Sequence, residues 1–270
     1  MMSNTIIKHK YLILRRITQV SVIALFAAGN YLGWTIFRGN LSSGLLFEKI
    51  PMADPLAVLQ MMFTGFIAAS DVLIGALITL MVYGLIAGRM FCSWICPVNI
   101  VEDGATFLSS KFKVKNNILS VSRKLRYWIL GLSLILSLIL GFAAFEAISP
   151  ISILHRGLIF GIGSGWAIIA ALFLFDFTVK KFGWCGHLCP LGAFYAIIGK
   201  YALIKVKHNH ENCTACNKCF EVCPEVQVLD IINKESGIIR NSECTNCARC
   251  IEVCEDDALN FGFRNYFKKR

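Results

Sequence analysis

Cys213-Thr214-Ala215-Cys216-Asn217-Lys218-Cys219-Phe220-Glu221-Val222-Cys223-Pro224 is the stretch on which the reading of this chain turns, and Cys244-Thr245-Asn246-Cys247-Ala248-Arg249-Cys250-Ile251-Glu252-Val253-Cys254 repeats its spacing. Short turns bring three thiolates of such a string onto one face of a [4Fe-4S] cubane, and the fourth reaches across to the other cluster. The spacing therefore predicts Cys213, Cys216 and Cys219 with Cys254 around one cluster, and Cys244, Cys247 and Cys250 with Cys223 around a second. Structural zinc is the competing reading of CxxC pairs. Four-cysteine zinc sites usually split into two knuckles separated by a longer loop, whereas here each string is continuous and then repeats. Pro224 follows the first string as in bacterial ferredoxins; Glu255 stands in its place after the second and changes no ligand. Residues 201–270 are thus expected to form a small bacterial-type α+β ferredoxin module with electron-transfer chemistry.

Outward from this module the chain changes character. Hydrophobic residues make up 56% and charged residues only 16%, and the mean hydropathy is +0.61, which points away from an ordinary soluble domain. Four apolar stretches, about 17–37, 71–88, 127–149 and 158–179, are each roughly 20 residues, the length that crosses a bilayer core. The expected fold is mainly α: a polytopic membrane domain over 17–200, made of four spans, followed by the ferredoxin module. The first stretch is too long and too far from the start to read as a cleaved signal peptide. Residues 1–16 carry Lys8, Lys10, Arg15 and Arg16 without an acid, and the loop between the second and third stretches carries Arg89, Lys111, Lys113, Lys115, Arg123, Lys124 and Arg126. The other loops offer only Arg38, Lys49 and Arg156, so both termini are expected on the cytoplasmic side of a bacterial inner membrane. Most of the net charge of +10 then flanks spans and needs no nucleic acid; the segment 213–257 is itself acidic, with nine Asp and Glu against four Lys and Arg. All twelve cysteines fall on the reducing side of this topology.

The four cysteines outside the strings form a repeat of their own. Phe91-Cys92-Ser93-Trp94-Ile95-Cys96-Pro97 follows the second apolar stretch, and Trp184-Cys185-Gly186-His187-Leu188-Cys189-Pro190 follows the fourth. The membrane part reads as a duplicated hairpin, each half ending in CxxxCP, with the two motifs brought together about a pseudo-twofold axis. Cys92, Cys96, Cys185 and Cys189 are candidates for a redox relay or for a further metal or cluster; small apolar residues at an interface are the bland alternative. His187 is a weaker candidate ligand because Ser93 and Trp94 fill the matching stretch. Gly157, Gly161 and Gly165, four apart, suggest close helix packing. Costly polar groups in or near the spans are Asn30, Asp71, Glu146, His155 and Asp176. Glu146 and His155 flank the Ser149-Pro150-Ile151 turn and form a candidate proton-acceptor pair for a quinol. Leu56 to Ala69, apolar but too short to span, is expected to be re-entrant or interfacial.

Several stretches give the chain a family likeness: Gly39-Asn40-Leu41-Ser42-Ser43, Pro51-Met52-Ala53-Asp54-Pro55-Leu56, Phe91-Cys92-Ser93-Trp94, Ala171-Leu172-Phe173-Leu174-Phe175-Asp176 and Gly183-Trp184-Cys185-Gly186-His187. Together with the doubled CxxxCP and the paired cysteine strings, they resemble the NapH family of membrane quinol dehydrogenase components of periplasmic nitrate reductase systems. The resemblance implies withdrawal of electrons from membrane quinol alongside a periplasmic ferredoxin-like subunit, with delivery through c-type cytochromes. An alternative from another class is an assembly or metal-reducing factor for cytochrome oxidase, resembling membrane ferredoxins that share both cysteine patterns; those usually carry an additional C-terminal domain. No GxGxxG, phosphate loop or CxxCH haem motif is found.

Overall fold

The computed structural model describes residues 9–66, 68–114, 118–161 and 163–264. Lys8 and Lys115, used above to orient the chain, lie outside them. The chain divides into two compact units, one made of Met1–Thr18, Val82–Ile95 and Tyr195–Arg270 and the other of Gln19–Met81 and Cys96–Phe194. The protein is mainly helical, with two small antiparallel sheets.

Helix α1 (Lys10–Tyr31) has 22 residues and, among the described residues, is the one helix long and apolar enough to cross a membrane. It starts before the expected 17, because Arg15 is a buried residue of the helix and not part of a solvated flank. It also ends before the expected 37, since Gly33 takes a left-handed φ of 70° and Phe37 already belongs to a strand. Strands β1 (Phe37–Gly39), β2 (Ser43–Leu46) and β3 (Ile50–Ala53) form a meander where the sequence pattern shows a loop. Gly29 lets α1 touch it: a Cβ there would lie 1.6 Å from the Phe37 carbonyl oxygen.

Asp54 then caps α2 (Pro55–Phe63), its carboxylate accepting from the Leu56 amide at 3.0 Å, with Pro55 in the first turn where its missing N–H costs nothing. Within the expected re-entrant segment, Leu56, Ala57, Val58 and Gln60 are buried. Helix α3 (Ser70–Met81) packs on β3 and is followed by a π-helical stretch, Val82–Ala87, close to the expected 71–88. Helix α4 (Met90–Trp94) carries Cys92, and Pro97 caps α5 (Val98–Lys111).

Two further apolar stretches are shorter than expected. Helix α6 (Leu125–Leu140) stops at Gly141, whose left-handed φ of 72° caps it through a hydrogen bond to the Ser137 carbonyl. A short α7 (Ala144–Ile148) follows, and Pro150 opens α8 (Pro150–Phe160). Helix α8 ends at Gly161, with φ 94°, before α9 (Trp166–Thr178) begins. The break corrects the glycine stripe: Gly157, Gly161 and Gly165 do not share one helix, and a Cβ on Gly161 would meet nothing within 4 Å. A π-turn at Trp184–Leu188 leads through Cys189 into α10 (Pro190–Ile198). In both CxxxCP motifs the proline therefore starts a new helix as well as ending the old turn.

The ferredoxin module has β4 (Ile204–His208) at the centre of its sheet, between β5 (Gly237–Ile238) and β6 (Leu259–Phe263). Helices α11 (Lys218–Val222) and α12 (Arg249–Glu252) hold the third cysteine of each string. Val206, Val228, Leu229, Ile232, Ile239 and Leu259 form its core together with Cys219, Cys244 and Cys250. A core this small is filled partly by sulfur, which makes its packing depend on what the thiols hold.

Candidate iron-sulfur cages and a buried carboxylate cluster

Each cysteine string turns through the same backbone. Ala215 and Asn217, on either side of Cys216, have φ of 56° and 60°; Asn246 and Ala248, on either side of Cys247, have φ of 50° and 61°. Left-handed backbone of this kind gathers successive N–H groups into a concavity suited to an anion, as at many iron-sulfur sites. Two of the four are alanines, for which the conformation is strained. Such strain persists where the surroundings over-determine it.

Two cavities result. One, of about 330 Å³, is lined by Cys213, Cys216, Cys219 and Cys254. The other, of about 350 Å³, is lined by Cys223, Cys244, Cys247 and Cys250. Each takes three cysteines from one string and one from the other. Burial, followed by the neighbouring cysteines, pushes the Cys250 thiol well up; burial likewise raises Cys223 and takes Cys244 up to about 11. Four crowded thiolates repel one another unless a cationic core lies among them, and an iron-sulfur core supplies that charge. The donor set fits a [4Fe-4S] cluster in each cavity.

Within the same unit, the 89–94 segment grips the turn around Cys244. Arg89 Nη1 donates to Glu225 Oε1 at 2.9 Å and to the Glu243 carbonyl at 2.8 Å, and both members of this ion pair are almost fully buried. Ser93 Oγ donates to the Thr245 carbonyl at 2.7 Å, and Trp94 Nε1 to the Asn246 carbonyl at 3.0 Å. Ser93 and Trp94 thus satisfy a cluster-loop backbone, a role that their place inside a CxxxCP motif did not reveal.

Cys92 belongs to the ferredoxin-containing unit, whereas Cys96, Cys185 and Cys189 belong to the other. The latter three lie close enough to influence one another: burial, Glu102, Cys189 and Cys96 all push the Cys185 thiol up. Two buried carboxyls support the second motif. Glu102 Oε1 accepts from the Cys185 amide at 3.1 Å, and Asp176 Oδ1 from the amides of Gly183 at 2.9 Å and Trp184 at 3.1 Å. Burial, then the nearby Asp176, raises the Glu102 carboxyl well above its ordinary range. His187 is buried with Nδ1 3.4 Å from the Phe182 carbonyl, and Arg126 Nη1 donates to the Gly186 carbonyl at 3.2 Å. Among the described residues, no three His, Cys, Asp or Glu side chains gather tightly enough for a single metal ion.

Of the predicted proton acceptors, Glu146 lies in a third cluster, in the second unit. Glu146 Oε1 accepts from Ser42 Oγ at 2.5 Å, Ser152 Oγ at 2.7 Å and Arg156 Nη2 at 3.3 Å. Asp54, whose amide donates to the Ser42 carbonyl, joins it; burial takes the Asp54 carboxyl up to about 7, with Glu146 adding to the rise. His155 is fully buried, its ring nitrogens have no hydrogen-bond partner among the described residues, and its ring meets Phe26 edge-on with centroids 5.1 Å apart. Asp54, Ser42 and Ser152 were not singled out as site residues from the sequence. The signal available was the conjunction of Asn40-Leu41-Ser42 and Asp54-Pro55, which reads as turn and cap chemistry. Asn30 ties α1 to β1, donating to the Phe26 and Gly39 carbonyls at 2.8 Å each, and Asp71 lies in the first turn of α3.

A 4Fe-4S binding domain model matches residues 71–115 and 158–208, which contain the two CxxxCP motifs, and a 4Fe-4S dicluster domain model matches 205–255. The methylamine utilization ferredoxin-type protein MauN of Methylorubrum extorquens is 43% identical over 85% of this chain and 80% of its own length. The ferredoxin-type protein NapH of Escherichia coli is 42% identical over 82% of this chain and 77% of its own. The chain belongs to the NapH and MauN family of ferredoxin-type proteins. NapH of Haemophilus influenzae, 40% identical over 82% of this chain and 77% of its own length, extends the same likeness. No solved structure matches. Membership makes this an iron-sulfur electron-transfer protein, and the two matched domain descriptions run through both cysteine patterns.

Proposed function

We propose that this chain is the membrane component that withdraws electrons from quinol and passes them through two [4Fe-4S] clusters toward a periplasmic nitrate reductase. The observation that carries the reading is the pair of four-thiol cavities, each built from three cysteines of one string and one of the other. Cys213, Cys216, Cys219 and Cys254 would hold one cluster and Cys244, Cys247, Cys250 and Cys223 the other. When bound, they supply one-electron carriers for a two-electron donor. The membrane setting is supported by apolar side chains left exposed along the helices, among them Ile17, Leu77, Ile139 and Leu174. We read α1, α3 with its π-helical extension, α6 and α9 as the cores of four spans, with both termini cytoplasmic, residues 17–200 forming the membrane domain and 201–270 the ferredoxin module.

Quinol oxidation releases two protons with its electrons, so the site needs bases. Asp54, poised near neutral, and Glu146, oriented by two serine hydroxyls, serve as acceptors, with His155 as the buried neighbour. Cys96, Cys185 and Cys189 belong to a relay or a further cluster, the latter supported by the 4Fe-4S description of the domain whose match covers their segments and that of Cys92. Partners follow from the resemblance: a periplasmic ferredoxin-like subunit and c-type cytochromes.

The 43% identity with MauN favours a second destination, electron transfer during methylamine utilization. Electron paramagnetic resonance on membranes separates the readings. Clusters reduced by a quinol analogue and reoxidised on nitrate addition support the first; dependence on methylamine and not on nitrate supports the second. Reduction by dithionite alone would overturn both and favour an assembly factor.

A further inference from the structure

Lys205 lies on the central strand β4 with no exposed surface, and among the described residues its Nζ has no hydrogen-bond partner. Side chains alternate along a strand. Val206 lines the Cys223–Cys244–Cys247–Cys250 cavity, while Lys205 points the other way, its Nζ 3.9 Å from where a Cβ on Gly88 would stand. The Asn246 side-chain amide, two residues beyond Cys244, donates to the Ile204 carbonyl at 2.9 Å and ties this end of β4 to the cluster loop; burial lowers the Lys205 pKa and the charge of Cys244 opposes that. An ammonium buried without a carboxylate is costly unless an anion sits within reach. Among the described residues no carboxylate is paired with it. Glu225 is paired with Arg89 at 2.9 Å, Glu243 Oε2 accepts from Gln227 at 2.5 Å, and Arg264, whose charge reaches Lys205, is itself a cation.

The other cage differs. Its cavity is lined by His208, Lys218 and Asp256; Lys218 is exposed and paired with Glu255 at 3.0 Å, and Asp256 accepts from Thr214 at the surface. Solvent and salt screen Lys218 and Asp256, while the buried His208 is held by its Nδ1 against the Glu235 carbonyl at 2.8 Å.

We propose that Lys205 is a fixed buried cation that holds the cluster of Cys223, Cys244, Cys247 and Cys250 at a higher reduction potential than its neighbour, making it the resting place of electrons in the module. This deepens the proposed function and rests on its assignment of cysteines to clusters. Reduction adds one electron and no proton, so the cage becomes more negative, and a charge lodged behind Cys244 favours that state. Net charge and burial are among the levers by which a protein sets such potentials. Because α4 grips the same loop through Ser93 and Trp94, the higher-potential cluster is also the one next to the first CxxxCP segment.

The test is a redox titration of the full-length holoprotein, followed by paramagnetic resonance. The wild type is expected to show two cluster potentials whose separation survives high salt, because a buried charge is not screened. Lys205→Met should lower only the higher one, by at least tenfold in the one-electron equilibrium, about 59 mV. Lys205→Arg should largely restore it, and Lys218→Met should leave both in place. Two clusters with coincident potentials at high salt, or an unchanged pair in Lys205→Met, would overturn the inference while leaving the cluster assignment standing. Absence of two clusters from the wild type would remove that assignment and the inference with it.

Discussion

Replacing Arg89 by Met separates a structural from an incidental role for the link between the 89–94 segment and the second cage. The guanidinium is 1% exposed and Glu225 3%, so neither charge is screened by water. Removing the cation leaves the Glu225 carboxylate buried without its ion-pair partner, beside Gln227 Nε2 at 2.8 Å, and takes a donor from the Glu243 carbonyl. Breaking one side of a buried pair costs about 3–5 kcal/mol, a large share of the roughly 5–15 kcal/mol that holds a domain together. Glu225→Gln alone takes the carboxylate from the buried guanidinium and should cost a comparable amount. The double variant removes both charges, so its loss should fall well below the sum of the two. The assay is denaturant unfolding of the holoprotein in detergent, read by the visible absorbance of the clusters. Single variants that each cost under about 1 kcal/mol and add in the double would refute the argument, since that is how an exposed pair behaves.

Other perturbations test other parts. Ala215→Gly and Ala248→Gly relieve a left-handed alanine in each string and should each add up to about 1 kcal/mol to apoprotein stability, offset in part by the entropy of glycine; thermal unfolding reads this. Gly29→Ala drives a methyl group into the Phe37 carbonyl and should cost at least about 1–3 kcal/mol, or prevent accumulation in the membrane. Asp54 keeps its proton in the native state up to about pH 7, whereas the unfolded chain releases it near 3.8. The native state then binds more protons across that window, and stability falls as pH rises through it, with a slope of up to about 1.4 kcal/mol per unit. Asp54→Asn should flatten that slope in unfolding measured between pH 4 and 7.

What the sequence disclosed and what it hid follow from the range of the interactions. The cysteine strings are legible because their turns are local: spacing alone sets which thiols share a face, down to the matching left-handed residues beside Cys216 and Cys247. The two CxxxCP motifs are legible as a repeat for the same reason. Helix ends were misjudged where one glycine decided them, since Gly33, Gly141 and Gly161 sit inside apolar runs whose hydropathy continues past the break. The β1–β3 meander escaped notice because its short strands lie in a polar, glycine-containing loop. Least visible were the long-range pairs. Nothing local ties Ser42 to Glu146, Glu102 to Cys185 or Arg89 to Glu225, and only the folded chain brings them together.

The exchange of the fourth cysteine between strings is the central claim, and single-ligand variants test it most directly. Paramagnetic resonance of dithionite-reduced Cys213→Ser, Cys254→Ser and Cys244→Ser holoproteins should show Cys213→Ser and Cys254→Ser altering the same cluster signal, and Cys244→Ser altering the other. If Cys254→Ser instead matches Cys244→Ser, each string closes on its own cluster and the cages described above are wrong.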